Sequence, residues 1–279
     1  MSFIAIIGSG PIGGSIAHKL AGRDRVGEVR LIDGDERIAK GKALDISQAG
    51  PVEGFGTRVG GFGAVAAAAG AAAIVLADAA NGQGEHSGEG GLALLRQLAA
   101  IETAAPIVCA GAAARELIAR AATELHLPEP RVIGSAPLAL ESALRALAGL
   151  AIDASGVEVS LRVVGVPPRS AVVAWESASA FAQPLASLVP PHAIAALTAR
   201  IPGIWPPGPY ALASAASRVA EALANGSRRR FSCFVNTGRG RVAAMPVELG
   251  QDGVAHIIQP VLTRQERTRL ENALESLQS

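Results

Sequence analysis

The chain has 279 residues, a net charge of +1, 49% hydrophobic residues and 18% charged ones. That length buries the core of one large domain or two modest ones, and the composition excludes a disordered chain. A charge so near zero leaves no electrostatic case for nucleic acid or an anionic membrane as partner, and the one dense basic run, Arg228, Arg229 and Arg230, reads as a solvated turn.

Residues 3–7 are a short apolar run ending in glycine, as a buried parallel strand should be. Residues 11–21 then read as a helix, with Ile12, Ile16 and Leu20 at i, i+4 and i+8. Residues 29–32 form a second strand ending at Asp33, and 36–49 a second helix. Residues 59–77 carry no charge and are roughly as long as a membrane span. They are mostly alanine and glycine, however, and read as a loop, a short helix and a buried strand at 74–76. A helix is expected at 91–102, a strand at 106–109, a helix at 115–125 and a strand at 131–134. Alternation of this kind implies a doubly wound parallel sheet, a Rossmann α/β fold.

The second half changes character. Strands are expected at 157–164, 231–235, 241–249 and 255–258, and helices at 138–147, 211–224 and 264–277. Proline pairs punctuate it at 167–168, 190–191 and 206–207. We therefore expect a dinucleotide-binding domain over residues 1–136 and an α+β domain over 137–279. Cys109 and Cys233 lie far apart and match no metal-ligand spacing, so no metal site is expected and a reduced, cytoplasmic chain is the economical reading. No basic segment precedes the first apolar run, which argues against a secretory signal.

The glycine turn supplies the chemistry. Gly8, Gly10 and Gly13 fit G-x-G-x-x-G between an apolar strand and a helix, and Asp33 follows at the end of the second strand. Gly8 permits the turn, Gly10 lets backbone approach a pyrophosphate, and Gly13 lets helix and strand pack closely. Pro11 and Ile12 open the helix, whose N-terminal N–H groups favour phosphate. Asp33 would accept from ribose hydroxyls and repel a 2′-phosphate, which points to NAD rather than NADP.

These residues, with the segments "VRLIDGDE" and "GKALDISQAGPVEGF" at 41–55, resemble the malate/lactate dehydrogenase family, particularly its bacterial malate dehydrogenases. Weaker likeness returns at "YALASAASRVAEAL" and along the tail from Val242. The resemblance implies a Rossmann domain followed by the family's α+β domain, NAD(H) as cofactor, a small carbonyl or hydroxy compound as substrate, and a homodimer packed through the 41–55 segment. It also implies where a histidine–aspartate pair and substrate-binding arginines should lie. Gly82 and Gly88 stand at the loop arginines, Ala112 at the strand-end asparagine, Leu144 at the carboxylate-binding arginine and Pro167 at the histidine. Glu141, in "LESAL", is the candidate replacement for the aspartate. The segment 171–207 is read as trimmed.

Proline transfers no proton and leucine holds no carboxylate. A positioned general acid–base contributes roughly 10²–10⁴ in rate, and each charged hydrogen bond about 1.5–3 kcal/mol, so ordinary malate or lactate turnover is not expected. His86 is a candidate relocated acid–base, and Arg169 a candidate anion binder. Each has a plainer alternative, as a solvated loop histidine and a structural arginine. His18 and His256 are not placed for chemistry, and His192, after a proline pair, carries no signal; Trp175 and Trp205 read as packing or interface residues, with pocket lining as the alternative. Two functions remain open: an enzyme with a new substrate, and a catalytically inactive NAD(H)-binding or sensor protein.

Overall fold

The structure, a computed structural model, describes residues 2–82, 84–101, 104–238 and 240–277. In chain order the first half comprises β1 (Phe3–Ile7), α1 (Pro11–Arg23), β2 (Glu28–Ile32), α2 (Glu36–Glu53), β3 (Arg58–Phe62), β4 (Ala73–Leu76), α3 (Gly88–Ala100), β5 (Ile107–Cys109), α4 (Ala114–Thr123) and β6 (Val132–Gly134). The second comprises α5 (Ala136–Ala151), β7 (Val159–Ser160), β8 (Val163–Val166), β9 (Ser170–Val173), β10 (Ser179–Ala180), β11 (Gln183–Pro184), α6 (Leu185–Leu188), α7 (Pro191–Ala199), α8 (Pro209–Ala224), β12 (Arg230–Asn236), β13 (Val242–Gly250), β14 (Gly253–Ile257) and α9 (Arg264–Glu275).

Strands β3-β2-β1-β4-β5-β6 lie side by side in that order and pair in parallel. Every residue of β1, β4, β5 and β6 is buried, because helices cover both faces of a parallel sheet. The order reverses between β1 and β4, and a doubly wound sheet binds ligands beyond its strand ends at that point. Antiparallel β12, β13, β8 and β9 continue the same sheet from β6, with β14 on β13. A second buried cluster, including Leu140, Leu144, Val163, Val173 and Leu197, packs α5 and α7 against β8 and β9.

Helix α1 shows why these elements form. Pro11 fits the first helical turn, where its missing N–H breaks no bond. Ile12, Ile16, Ala17 and Leu20 bury one face, and Asp24 in the left-handed region ends the helix. Helix α9 opens with a capping box between Thr263 and Glu266.

The structure corrects several expectations. Residues 58–62 are strand, not loop: β3 is the edge of the sheet, and its half-exposed, glycine-containing sequence lacks the apolar signature of its neighbours. The expected strand at 157–164 is broken into β7 and β8, which join different sheets. Residues 171–207 hold β10, β11, α6, α7 and part of β9, none of which was expected. The helix expected at 91–102 begins at Gly88 and runs to Ala100; Glu102 lies outside the described residues. No helix among the described residues is long and apolar enough to cross a membrane.

Candidate functional site

β1 ends at Ile7, and the backbone turns through Gly8, whose φ of +106° favours glycine. A Cβ at Gly8 would strike the Asp78 carbonyl, and one at Gly13 the Gly8 carbonyl. The turn is therefore packed tightly against β4 and its extension. A Cβ at Gly10 would overlap the Asp78 carboxylate itself. The close approach that Gly10 allows is taken up by a side chain of the same protein.

Asp78 lies two residues past β4, at the switch point, and is buried. Its carboxylate accepts from the N–H of Ile12 (3.2 Å) and of Gly13 (2.9 Å), the free donors in the first turn of α1. Its carbonyl accepts from Gly10 N–H at 2.8 Å. The Lys42 ammonium crosses from α2 to donate to the Ser9 and Gly10 carbonyls (2.5 and 3.2 Å). The cradle thus binds an oxyanion, and the carboxylate stands in for one.

Asp33 is buried at the end of β2. One of its oxygens accepts from Ser9 N–H (2.7 Å) and Ala80 N–H (2.9 Å), the other from Asp35 N–H (3.0 Å). A carboxylate offers about four acceptor sites, so roughly one remains for a hydroxyl group. The Ser9 hydroxyl is buried beside it and makes no hydrogen bond among the described residues.

A second helix end is filled in the same way. Asp78 and Glu85 pair as an antiparallel bridge, with Ala79 N–H donating to the Gly84 carbonyl. The Glu85 carboxylate accepts from Ala112 N–H (2.8 Å) and Ala113 N–H (2.9 Å) at the start of α4, over Gly111. Burial, with the Glu85 charge as a lesser cause, pushes the Cys109 thiol up to about 12. Next along the chain, the His86 Nε2 is buried and unpartnered among the described residues. Burial lowers the His86 pKa, and Asp33 and Asp78 pull it partly back. Burial therefore favours the neutral imidazole, and the Asp33 and Asp78 charges oppose it.

Glu141 lies elsewhere. Fully buried on α5, it accepts from the Arg162 guanidinium and the Ser232 hydroxyl, each at 2.6 Å. Burial nonetheless raises its pKa, against the pull of Arg162, and its charge adds to the burial that pushes the Cys233 thiol upward. Arg169 is exposed in the turn between β8 and β9, two residues after buried Pro167, and Leu144 is a fully buried residue of α5. No hydrogen bond or ion pair joins His86, Glu141 and Arg169 among the described residues. Trp205 packs edge-on against Phe234, and Trp175 donates to Thr198. Among the described residues no cluster of three or more His, Cys, Asp or Glu is placed to hold a metal ion.

Asp78, Lys42 and Arg162 escaped the sequence reading. One signal was available for Asp78: a carboxylate just past a strand that borders the expected switch point.

Fold and glycine turn together define a dinucleotide-binding α/β protein of the Rossmann class. No protein-family profile matches the chain. It is 27% identical over 298 residues to a malate dehydrogenase of Thermomicrobium roseum, covering 98% of this chain and 95% of that protein. The fold matches malate dehydrogenase from Salinibacter ruber with a TM-score of 0.86 and 21% identity, over 99% of this chain and 95% of the other. It also matches the lactate dehydrogenase of Cryptosporidium parvum complexed with lactic acid and nicotinamide adenine dinucleotide, with a TM-score of 0.85, 24% identity, and 99% and 96% coverage. The chain is thus similar in sequence to a malate dehydrogenase and shares the fold of the malate/lactate dehydrogenase family.

Proposed function

We propose that the chain is an NAD(H)-binding member of this family that does not turn over malate or lactate at ordinary family rates. The observation that carries the cofactor reading is the α1 cradle. Two helix N-terminal amides are aimed at an oxyanion, beside a glycine turn and one strand from buried Asp33. Gly8, Gly10, Pro11, Ile12 and Gly13 would hold the pyrophosphate, and Asp33 the ribose. The crystallised neighbour that holds nicotinamide adenine dinucleotide supports the same assignment. Bound, the nicotinamide would supply hydride chemistry.

The site's acid–base inventory supports the second half of the reading. Both Glu141 oxygens are engaged by Arg162 and Ser232, Arg169 is exposed in a turn, and among the described residues no hydrogen bond or ion pair joins His86 to either. An enzyme acting on another carbonyl or hydroxy compound is the second reading. Half-buried His86, whose buried Nε2 has no partner among the described residues, favours it. A homodimer through α2 and α8 also fits the exposed apolar side chains of Leu44 and Val52 on α2 and Tyr210 on α8.

Titration with NADH, followed by nicotinamide fluorescence, should give saturable binding. A screen of 2-oxo acids, ketones and aldehydes with NADH, run beside His86→Ala, then separates the readings. Turnover that collapses in the variant favours the enzyme, and none on any class favours the binding protein. Malate oxidation at family-like rates would refute the proposal.

A further inference from the structure

The α1 cradle is built for one oxyanion, and the chain supplies its own. Ile12 and Gly13 amides point at the two oxygens of the Asp78 carboxylate, and Gly10 leaves a gap that the same carboxylate fills. A phosphate on those amides would have to share space with Asp78. It would also meet like charge, since the Asp33 and Asp78 carboxylates both accept from this turn and helix start, Glu85 pairs with Asp78, and Lys42 donates to the turn. We infer that Asp78 is an intramolecular competitor for the dinucleotide's pyrophosphate: NAD(H) seats on α1 only when the Asp78 carboxylate has withdrawn from it. The inference rests on the cofactor reading above and adds control of access to it.

Three features make Asp78 an effective competitor. It is tethered two residues from β4, so its effective concentration at the cradle is high. Its own carbonyl is fixed by Gly10 N–H, which holds the side chain over the helix end. The antiparallel bridge to Glu85, itself seated on the α4 amides, braces the segment from its other side. Apparent affinity falls in proportion to the open fraction, so a cradle open about 1–10% of the time weakens binding about 10–100-fold.

The test is NADH titration of the wild type, Asp78→Ala and Asp78→Asn, with inorganic pyrophosphate as a second probe that touches the cradle alone. Circular dichroism checks that each variant is folded. Asp78→Ala should bind NADH about 10–100-fold more tightly than the wild type, and pyrophosphate should follow the same order. Asp78→Asn, uncharged but still able to accept one amide, should fall between them. If Asp78→Ala does not fold, Asp78→Asn decides by the same criterion. NADH affinity within twofold of the wild type, or weaker, overturns the competitor and leaves the cofactor reading standing. Absence of NADH binding by every folded form overturns both.

Discussion

Replacing Asp33 with alanine separates a structural load from a ligand contact, because the structure gives this residue three backbone partners before any cofactor arrives. Ser9 is fully buried and its N–H has no other acceptor among the described residues; losing a charged partner there costs about 1.5–3 kcal/mol. Ala80 and Asp35 N–H are nearer solvent and can be rehydrated, so each adds only about 0.5–1 kcal/mol. Asp33→Ala should therefore destabilise the protein by about 2.5–5 kcal/mol. Asp33→Asn keeps one acceptor oxygen, which can serve Ser9 and Ala80 while the amide turns a donor toward Asp35. Its cost should be nearer 1–2 kcal/mol, with the order Ala worse than Asn. Urea unfolding followed by circular dichroism, with equal slopes required of all three proteins, reads these values directly. A cost below about 1 kcal/mol for Asp33→Ala would show that the three amides do not depend on the carboxylate. Asp33 would then be free to serve a ligand alone.

Three more perturbations test other parts of the description. Arg162→Met strips Glu141 of its cation; a broken buried pair costs about 3–5 kcal/mol, discounted to about 2–3 because Arg162 is partly exposed. Urea unfolding at pH 7 should also find Glu141→Gln/Arg162→Met less damaged than Arg162→Met alone, and equal damage would deny the pair its role. His86 has a lowered pKa, so the folded state binds fewer protons than the unfolded one below the ordinary value of 6.5. Stability that is intact above pH 6.5 should be lost as pH falls through the His86 folded value; Tm measured at pH 7.5 and 5.5 should drop less in His86→Gln, and equal drops would refute the burial argument. In the α9 cap, Thr263→Ala should cost about 1 kcal/mol. Glu266→Ala should cost more, because its carboxylate also accepts from Trp175 N–H across the sheet, and unfolding midpoints check the order.

What was legible in the sequence follows from how local each signal is. β1, α1, β2 and the glycine turn carry their cues within a few residues, as apolar runs, i, i+4 spacing and three glycines. β3 carries none: Gly60 and Gly61 break its apolar pattern, and Gly61 is needed because a Cβ there would strike the α2 backbone at Ala39 and Lys40. β10 and β11 are two residues long each, shorter than any period can resolve. At the site, Asp33 stood out because it ends a strand. The contacts that define its surroundings join residues 65 and 66 positions apart, Gly13 and Ile12 to Asp78, and no local pattern encodes them. Glu141 was singled out by its neighbours in sequence, but its partners Arg162, between β7 and β8, and Ser232, on β12, come from 21 and 91 residues further on.

The same physics explains why a phosphate-binding fingerprint is an incomplete statement about ligands. Unpaired amides and a partial positive charge at a helix N-terminus favour any oxyanion, and a carboxylate on the same chain satisfies them as a phosphate does. Spacing of Gly8, Gly10 and Gly13 specifies the receptor and is silent about its occupant. In a doubly wound sheet the chain leaving β4 passes directly over that receptor, so the residue two positions past Leu76 decides the matter. A small apolar residue there would leave the amides to solvent and ligand, whereas Asp78 meets them from within. The glycine turn is thus held in its binding shape without ligand. A cofactor entering it gains only the difference between two anions, not the full value of the cradle.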